Sequence, residues 1–168
     1  LFGDYNPGGK LPVTIPKTVG QIPFAFPFKP GSDTKGNVRV DGPLFPFGFG
    51  LSYSTFEYKN LKIKYPVIGP LANNQLSCTI KNTGKLPGDE VVQLYIRDEY
   101  SSVTTYVKNL RGFERIHLLP GEEKEVNFEL TPQELGLWNK DNHFVVEPGT
   151  FTIMLGSSSE DIRLTGSF

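Results

Sequence analysis

Residues suited to redox or metal chemistry are nearly absent from this sequence. Its 168 residues include one cysteine, one methionine, one tryptophan and two histidines. A lone Cys78 excludes an internal disulfide. It fits a bacterial or cytosolic origin, or a secreted domain that needs no staple. His117 and His143 stand 26 positions apart, with no cysteine or carboxylate at a zinc-like spacing from either. An excess of one charge is missing too: 17 basic residues face 18 acidic ones, for a net charge of −1. That removes the basic surface on which nucleic-acid binding normally depends. No apolar run approaches the ~20 residues of a membrane span. No secretory leader is visible, and the chain opens at Leu1 rather than a methionine, which reads as a processed product or a fragment.

What the chain does have is glycine, proline and phenylalanine: 18, 14 and 13 residues. They concentrate in Leu44 to Tyr58, LFPFGFGLSYSTFEY. Proline and the glycines forbid a helix there and disfavour a central strand. Six aromatic rings in such a run need burial. The chain before them looks too short to supply it. The segment therefore reads as a junction between two bodies, one of them mostly outside this sequence.

Three regions follow from patterning. Residues 1–19 open with a turn cluster, Gly3 to Gly9, and continue into a short apolar strand, Leu11 to Ile15, bounded by Pro12 and Pro16. Residues 20–50 carry five prolines, six glycines and six interleaved phenylalanines, with neither a strand nor a helix period. Disordered segments are poor in aromatics, so this stretch is expected to be an ordered, extended wrap over a neighbour, with a polar tip at Gly31 to Asn37. Residues 51–168 alternate strictly. Leu76, Cys78 and Ile80 share one face; Val92, Leu94 and Ile96 another; then come Val126, Phe128 and Leu130, followed by Phe151, Ile153 and Leu155. The parity of Phe56 and Tyr58 differs from that of Leu61 and Ile63, which predicts a bulge near Asn60. Turns are expected at Asn82-Thr83-Gly84, Leu119-Pro120-Gly121-Glu122 and Glu147-Pro148-Gly149, and one helical turn at Thr131–Glu134. This gives an all-β fold, an immunoglobulin-like or fibronectin-III-like sandwich of about seven strands, preceded by the irregular Pro/Gly/Phe-rich segment.

The chemistry-bearing residues form no constellation. Asp89-Glu90, Asp98-Glu99 and Glu122-Glu123 are neighbours in sequence, and strand neighbours point to opposite faces. Asp89-Glu90 and Glu122-Glu123 read as solvated turn charges. Cys78 reads as a small buried hydrophobe, and His117 and His143 as surface or satisfied histidines. Ser157 to Ser159 lack the GxSxG frame of a nucleophile elbow. Gly8-Gly9-Lys10 lacks the first Gly and the Ser/Thr of a phosphate loop. Trp138 is expected as an inter-sheet plug, with a sugar platform as the sharper alternative. Tyr5, Arg39, Asp41, Phe45, Phe47, Phe49 and Tyr53 are candidates for a domain interface or a shared cleft. No residue is assigned a catalytic, metal or cofactor role.

Four long segments resemble one family in order: LFGDYNPGGKLPVTIPKTVGQIPF, LFPFGFGLSYSTFEY, GDEVVQLYIRDEYSSVTTYVKNLRGFERIHLLPGEEKEVNFEL and VVEPGTFTIMLGSSSEDIRLTGSF. They look like the C-terminal third of glycoside hydrolase family 3 β-glucosidases, with β-xylosidases as close relatives. The resemblance implies that residues 1–50 end an α/β sandwich domain and that residues 51–168 are a fibronectin-III-like domain. A (β/α)₈ barrel and most of the α/β domain would precede them and be their partners. The implied activity is retaining hydrolysis of terminal β-glucosyl residues. It needs two carboxyl groups about 5–5.5 Å apart, both implied to lie upstream, so the piece itself is expected to be inactive. The resemblance implies no cofactor, and a periplasmic or secreted bacterial parent is consistent with it. A second role, a carbohydrate-binding module, would need exposed aromatics, for which Tyr95, Tyr100 and Tyr106 are the outward candidates. Residues 51–168 are expected to fold alone. Residues 1–50, if ordered, are expected to pack on another body.

Overall fold

The structure, a computed structural model, describes residues 3–21, 26–32 and 42–168. Alternation in residues 51–168 resolves into two antiparallel sheets face to face. One holds β1 (Phe56–Ile63), β2 (Asn74–Asn82) and β5 (Glu123–Leu130) in the order β1-β2-β5. The other holds β3 (Gly88–Asp98), β4 (Asn109–Leu118), β8 (Phe151–Gly156) and β9 (Ile162–Ser167) in the order β4-β3-β8-β9. Seven strands thus make the sandwich. β6 (Leu137–Trp138) and β7 (Phe144–Val145) form a separate two-residue hairpin.

The core follows the period-2 pattern. Leu76, Cys78, Ile80 and Val126 meet Val92, Leu94, Ile96, Ile153 and Leu155 between the sheets. Each such aliphatic side chain contributes about 1.5–3 kcal/mol when fully buried. Cys78 is among them at 0% exposure, and burial pushes its thiol up to about 11. The bulge predicted near Asn60 is present: the β1–β2 register shifts between Lys59 and Lys62, and Asn60 has φ +57°. The same device brings Leu61 and Ile63 back toward the core after Phe56 and Tyr58.

Turn chemistry fixes the connections. Pro120 followed by Gly121 at φ +80° turns β4 into β5, closed by the Glu122 amide donating to Leu119 O at 3.0 Å. Asn82, fully buried, donates to Leu86 O at 2.9 Å and to Leu118 O at 3.0 Å while accepting from the Gly84 amide. The predicted helical turn is α1 (Pro132–Leu135), capped by Thr131 and Glu134 in a complete capping box.

Two expectations fail in this region. Trp138 is no inter-sheet plug: it is 65% exposed. It lies on the β6–β7 hairpin, outside both sheets, and its ring contact is Phe144, edge on at 5.7 Å. Asp89 and Glu90 are not solvated turn charges either. β3 begins at Gly88, so both are strand residues, and Glu90 is 6% exposed.

Candidate functional site

The site grows from β3. Val92, Leu94 and Ile96 point into the sandwich, so Gln93 and Tyr95 point out of it. In an ordinary two-layer sandwich they would meet water. Here Tyr95 is 0% and Gln93 3% exposed. The N-terminal segment is the reason, because it lies across the outer side of β3 as a third layer.

That layer is built from paired extended pieces. The Leu11 amide donates to Phe49 O, and the Gly48 amide donates to Leu11 O, both at 2.8 Å. Ile15 bridges Phe45, its amide donating to Phe45 O at 2.9 Å. Prolines flank each piece, so pairing stops after a few bonds. The rings then interleave. Phe26 stacks on Phe47 at 4.7 Å and meets Tyr95 edge on at 5.7 Å; Phe45 stacks on Phe49 at 4.9 Å.

Polar groups lock the layers together. Tyr95 Oη donates to Gln93 Oε1 at 2.5 Å, and Gln93 Nε2 donates to Gly48 O at 3.1 Å and Ser157 O at 2.7 Å. The Ser159 amide donates to Phe47 O at 2.9 Å. Gly48 is required here on two counts. Its φ is +80°, and a Cβ would run into the Gln93 carboxamide. Asn6 is a second hub. Its Nδ2 donates to Pro87 O at 2.8 Å, and its Oδ1 accepts from the Tyr53 amide at 2.7 Å and Ser52 Oγ at 3.0 Å.

Two charge groups complete the seam. Lys10 Nζ stands 3.0 Å from Glu90 Oε1, with both side chains largely buried. Burial pushes the Glu90 carboxyl above its ordinary range, and Lys10 opposes that rise. Beyond it, Asp89 accepts from His117 Nδ1 at 2.6 Å and from the Arg115 guanidinium. The hydrogen bond with His117, aided by Arg115, holds the Asp89 carboxyl below its usual value. Gly8 packs on this pair so closely that a Cβ would lie 2.7 Å from Asp89 Cβ. The Lys10–Glu90 pair fastens the N-terminal layer to β3, while the Asp89 bonds tie β3 to β4 within one sheet.

The residues singled out from sequence divide between the two faces of the segment. Phe47 and Phe49 are half-buried, while Tyr5 (69%), Tyr53 (55%) and Phe45 (38%) are open. Val13, Val19, Leu44 and Leu51 are open as well. Arg39 and Asp41, and most of the expected polar tip, lie outside the described residues. The expectation that residues 1–50 need a different body is corrected for the described pieces: their inner face packs on the sandwich of the same chain. Tyr95 is likewise not an outward ring for a sugar platform, because the third layer covers it. Gln93, Asn6, Lys10 and Glu90 were missed. A glutamine and a tyrosine at outward positions of a central strand were the available signal, since an aromatic there has to be covered by something.

Two family models match parts of this chain. Residues 1–53 match the glycosyl hydrolase family 3 C-terminal domain, and residues 90–159 match a fibronectin type III-like domain. A β-xylosidase of Formosa agariphila is 50% identical over 164 residues, covering 95% of this chain and 23% of the relative. A periplasmic β-glucosidase of Salmonella typhimurium is 40% identical over 179 residues, covering 100% of this chain and 23% of the relative. A solved β-glucosidase structure from Erythrobacter marinus superposes with a TM-score of 0.93 at 42% identity, covering 99% of this chain and 22% of that one. The chain thus spans just under a quarter of the length of these proteins.

Proposed function

The chain belongs to the C-terminal part of glycosyl hydrolase family 3, and from that premise we propose that it is the closing section of a retaining β-glucosidase. In this reading the parent hydrolyses terminal β-D-glucosyl residues. Both reacting carboxyl groups come from upstream domains, and this section buttresses them. The observation that carries the reading is the two-sided N-terminal segment. Its inner face is sealed onto β3 through Gln93, Tyr95 and Glu90. The same segment leaves Val13, Val19, Leu44, Leu51 and Tyr53 exposed. Large apolar side chains left exposed along one short segment are what a surface awaiting a partner would present. The remainder of an α/β domain, immediately before Leu1 in the parent, is the partner whose chemistry and position fit. The sandwich then acts as a splint that fixes the end of a catalytic domain.

A β-xyloside is the second substrate class, favoured by the naming of the Formosa relative at 50% identity. The sugar choice in this reading is made upstream, so both substrates belong in the test. Deleting residues 54–168 from the intact enzyme should abolish most activity on p-nitrophenyl β-D-glucoside or β-D-xyloside and lower soluble yield. A truncated enzyme with unchanged kcat/KM and melting temperature would remove the buttress role.

A further inference from the structure

We propose that the connection between β3 and β4 forms a binding cleft for a neutral oligosaccharide. Where the chain leaves β3, residues 97–107 together with Pro30 wall an open cleft of about 430 Å³. Two rings line it, Tyr100 at 70% exposure and Tyr106 at 40%. Tyrosine offers an apolar face for the C–H side of a pyranose and a hydroxyl for its polar edge. Arg97, Glu99 and Thr104 line it as well. Arg97 Nε lies 3.2 Å from Glu99 Oε2, so a donor fork and a carboxylate sit side by side. A sugar hydroxyl both donates and accepts, and such a pair serves it in both directions.

The cleft is held in shape before any ligand arrives. The Tyr100 amide donates to Asp98 Oδ1 at 3.1 Å, and Ser101 Oγ donates to Val103 O at 2.9 Å. Ser102 donates from its amide to Glu147 Oε2 at 2.7 Å and from its hydroxyl to Glu147 Oε1 at 2.5 Å. The Val107 amide donates to Phe28 O at 2.9 Å, and Lys29 sits 5.8 Å from the centre of the Tyr106 ring. A loop tied at both ends and its middle loses little further freedom on binding. Charge argues against an anionic ligand: Arg97 and Lys29 face Asp98, Glu99 and Glu147 around the same loop, so no cationic excess remains. This position also replaces the sheet-face platform that burial of Tyr95 removes, since Tyr100 and Tyr106 sit on the loop and stay accessible.

The ligand class rests partly on the glycosidase reading, and the test scores binding without turnover so that the two can fail separately. Cellotetraose and xylotetraose are titrated into the 168-residue chain, up to about 10 mM given the openness of the cleft, while backbone amide resonances are followed. Shift changes confined to residues 97–107 are expected with at least one tetraose. Tyr100→Ala and Tyr106→Ala should each weaken binding about fivefold or more, and the double variant should abolish it. Both side chains are substantially open, so an unchanged spectrum elsewhere certifies the fold. No perturbation by either sugar, perturbation mapping elsewhere, or binding that survives the double substitution overturns the proposal. So does a cleft that takes a proline-rich peptide and neither tetraose. None of these outcomes bears on hydrolysis by the intact enzyme.

Discussion

At the scale of single residues, the seam depends on a few polar groups placed where the alternation puts them. Glu90 shares parity with Val92 and Leu94 and so is carried into a buried position, where only a partner makes a carboxylate tolerable. Lys10, from the glycine-rich turn, is that partner. Substituting Lys10→Met removes the ion-pair partner and leaves the buried carboxylate with the Val91 amide as its hydrogen-bond donor, at a cost of about 1–3 kcal/mol near neutral pH. The pH dependence has a definite sign. Glu90 has its carboxyl raised above the ordinary 4.5 by burial, so its folded state favours the protonated form. Its contribution to stability is fullest below 4.5 and declines as pH rises through the folded value. Losing Lys10 exaggerates that decline. Urea unfolding of the variant and the natural chain should therefore show a gap that is wide at neutral pH and narrows toward pH 4.5. A gap independent of pH would mean that Glu90 is not the group responsible.

The elements were legible from sequence in proportion to how local their causes are. Strands β2, β3, β5 and β8 follow from strict alternation, and α1 from its capping box, because each signal sits within the element itself. The bulge at Asn60 was legible as a parity break. What sequence did not reveal is that the expected N-terminal wrap covers the sandwich of its own chain as a third layer. Period-2 reasoning correctly places Gln93 and Tyr95 opposite the core, but it contains no information about what lies beyond that face. The covering segment has no period of its own, since prolines and glycines interrupt it every few residues. Trp138 failed for a related reason: an aromatic on a two-residue hairpin outside both sheets looks, in sequence, like one destined for the core. The segment's docking has its own test. Gly48→Ala places a side chain at φ +80°, which costs about 1–2 kcal/mol by itself, and drives it into the Gln93 carboxamide. Cleavage by trypsin at Lys10 or Lys17 should accelerate markedly while the sandwich stays resistant. Equal protection of both proteins would show that the Gly48–Gln93 contact does not hold the layer down.

For the whole molecule, the account rests on an asymmetry. The sandwich is closed by its own two sheets and by the third layer, whereas that layer is finished on one side only. Val13, Leu44, Leu51 and Tyr53 are exposed on a chain spanning just under a quarter of its relatives' length. The role proposed above is a splint for a larger catalytic body, with the reacting carboxylates proposed to lie in that body. The most direct measurement is turnover by the purified 168-residue chain on p-nitrophenyl β-D-glucoside and β-D-xyloside, beside the intact enzyme. The account predicts hydrolysis by the intact enzyme and none by the chain alone. Hydrolysis that stays with the isolated chain through gel filtration would contradict it, because a catalytic pair would then have to lie within these residues.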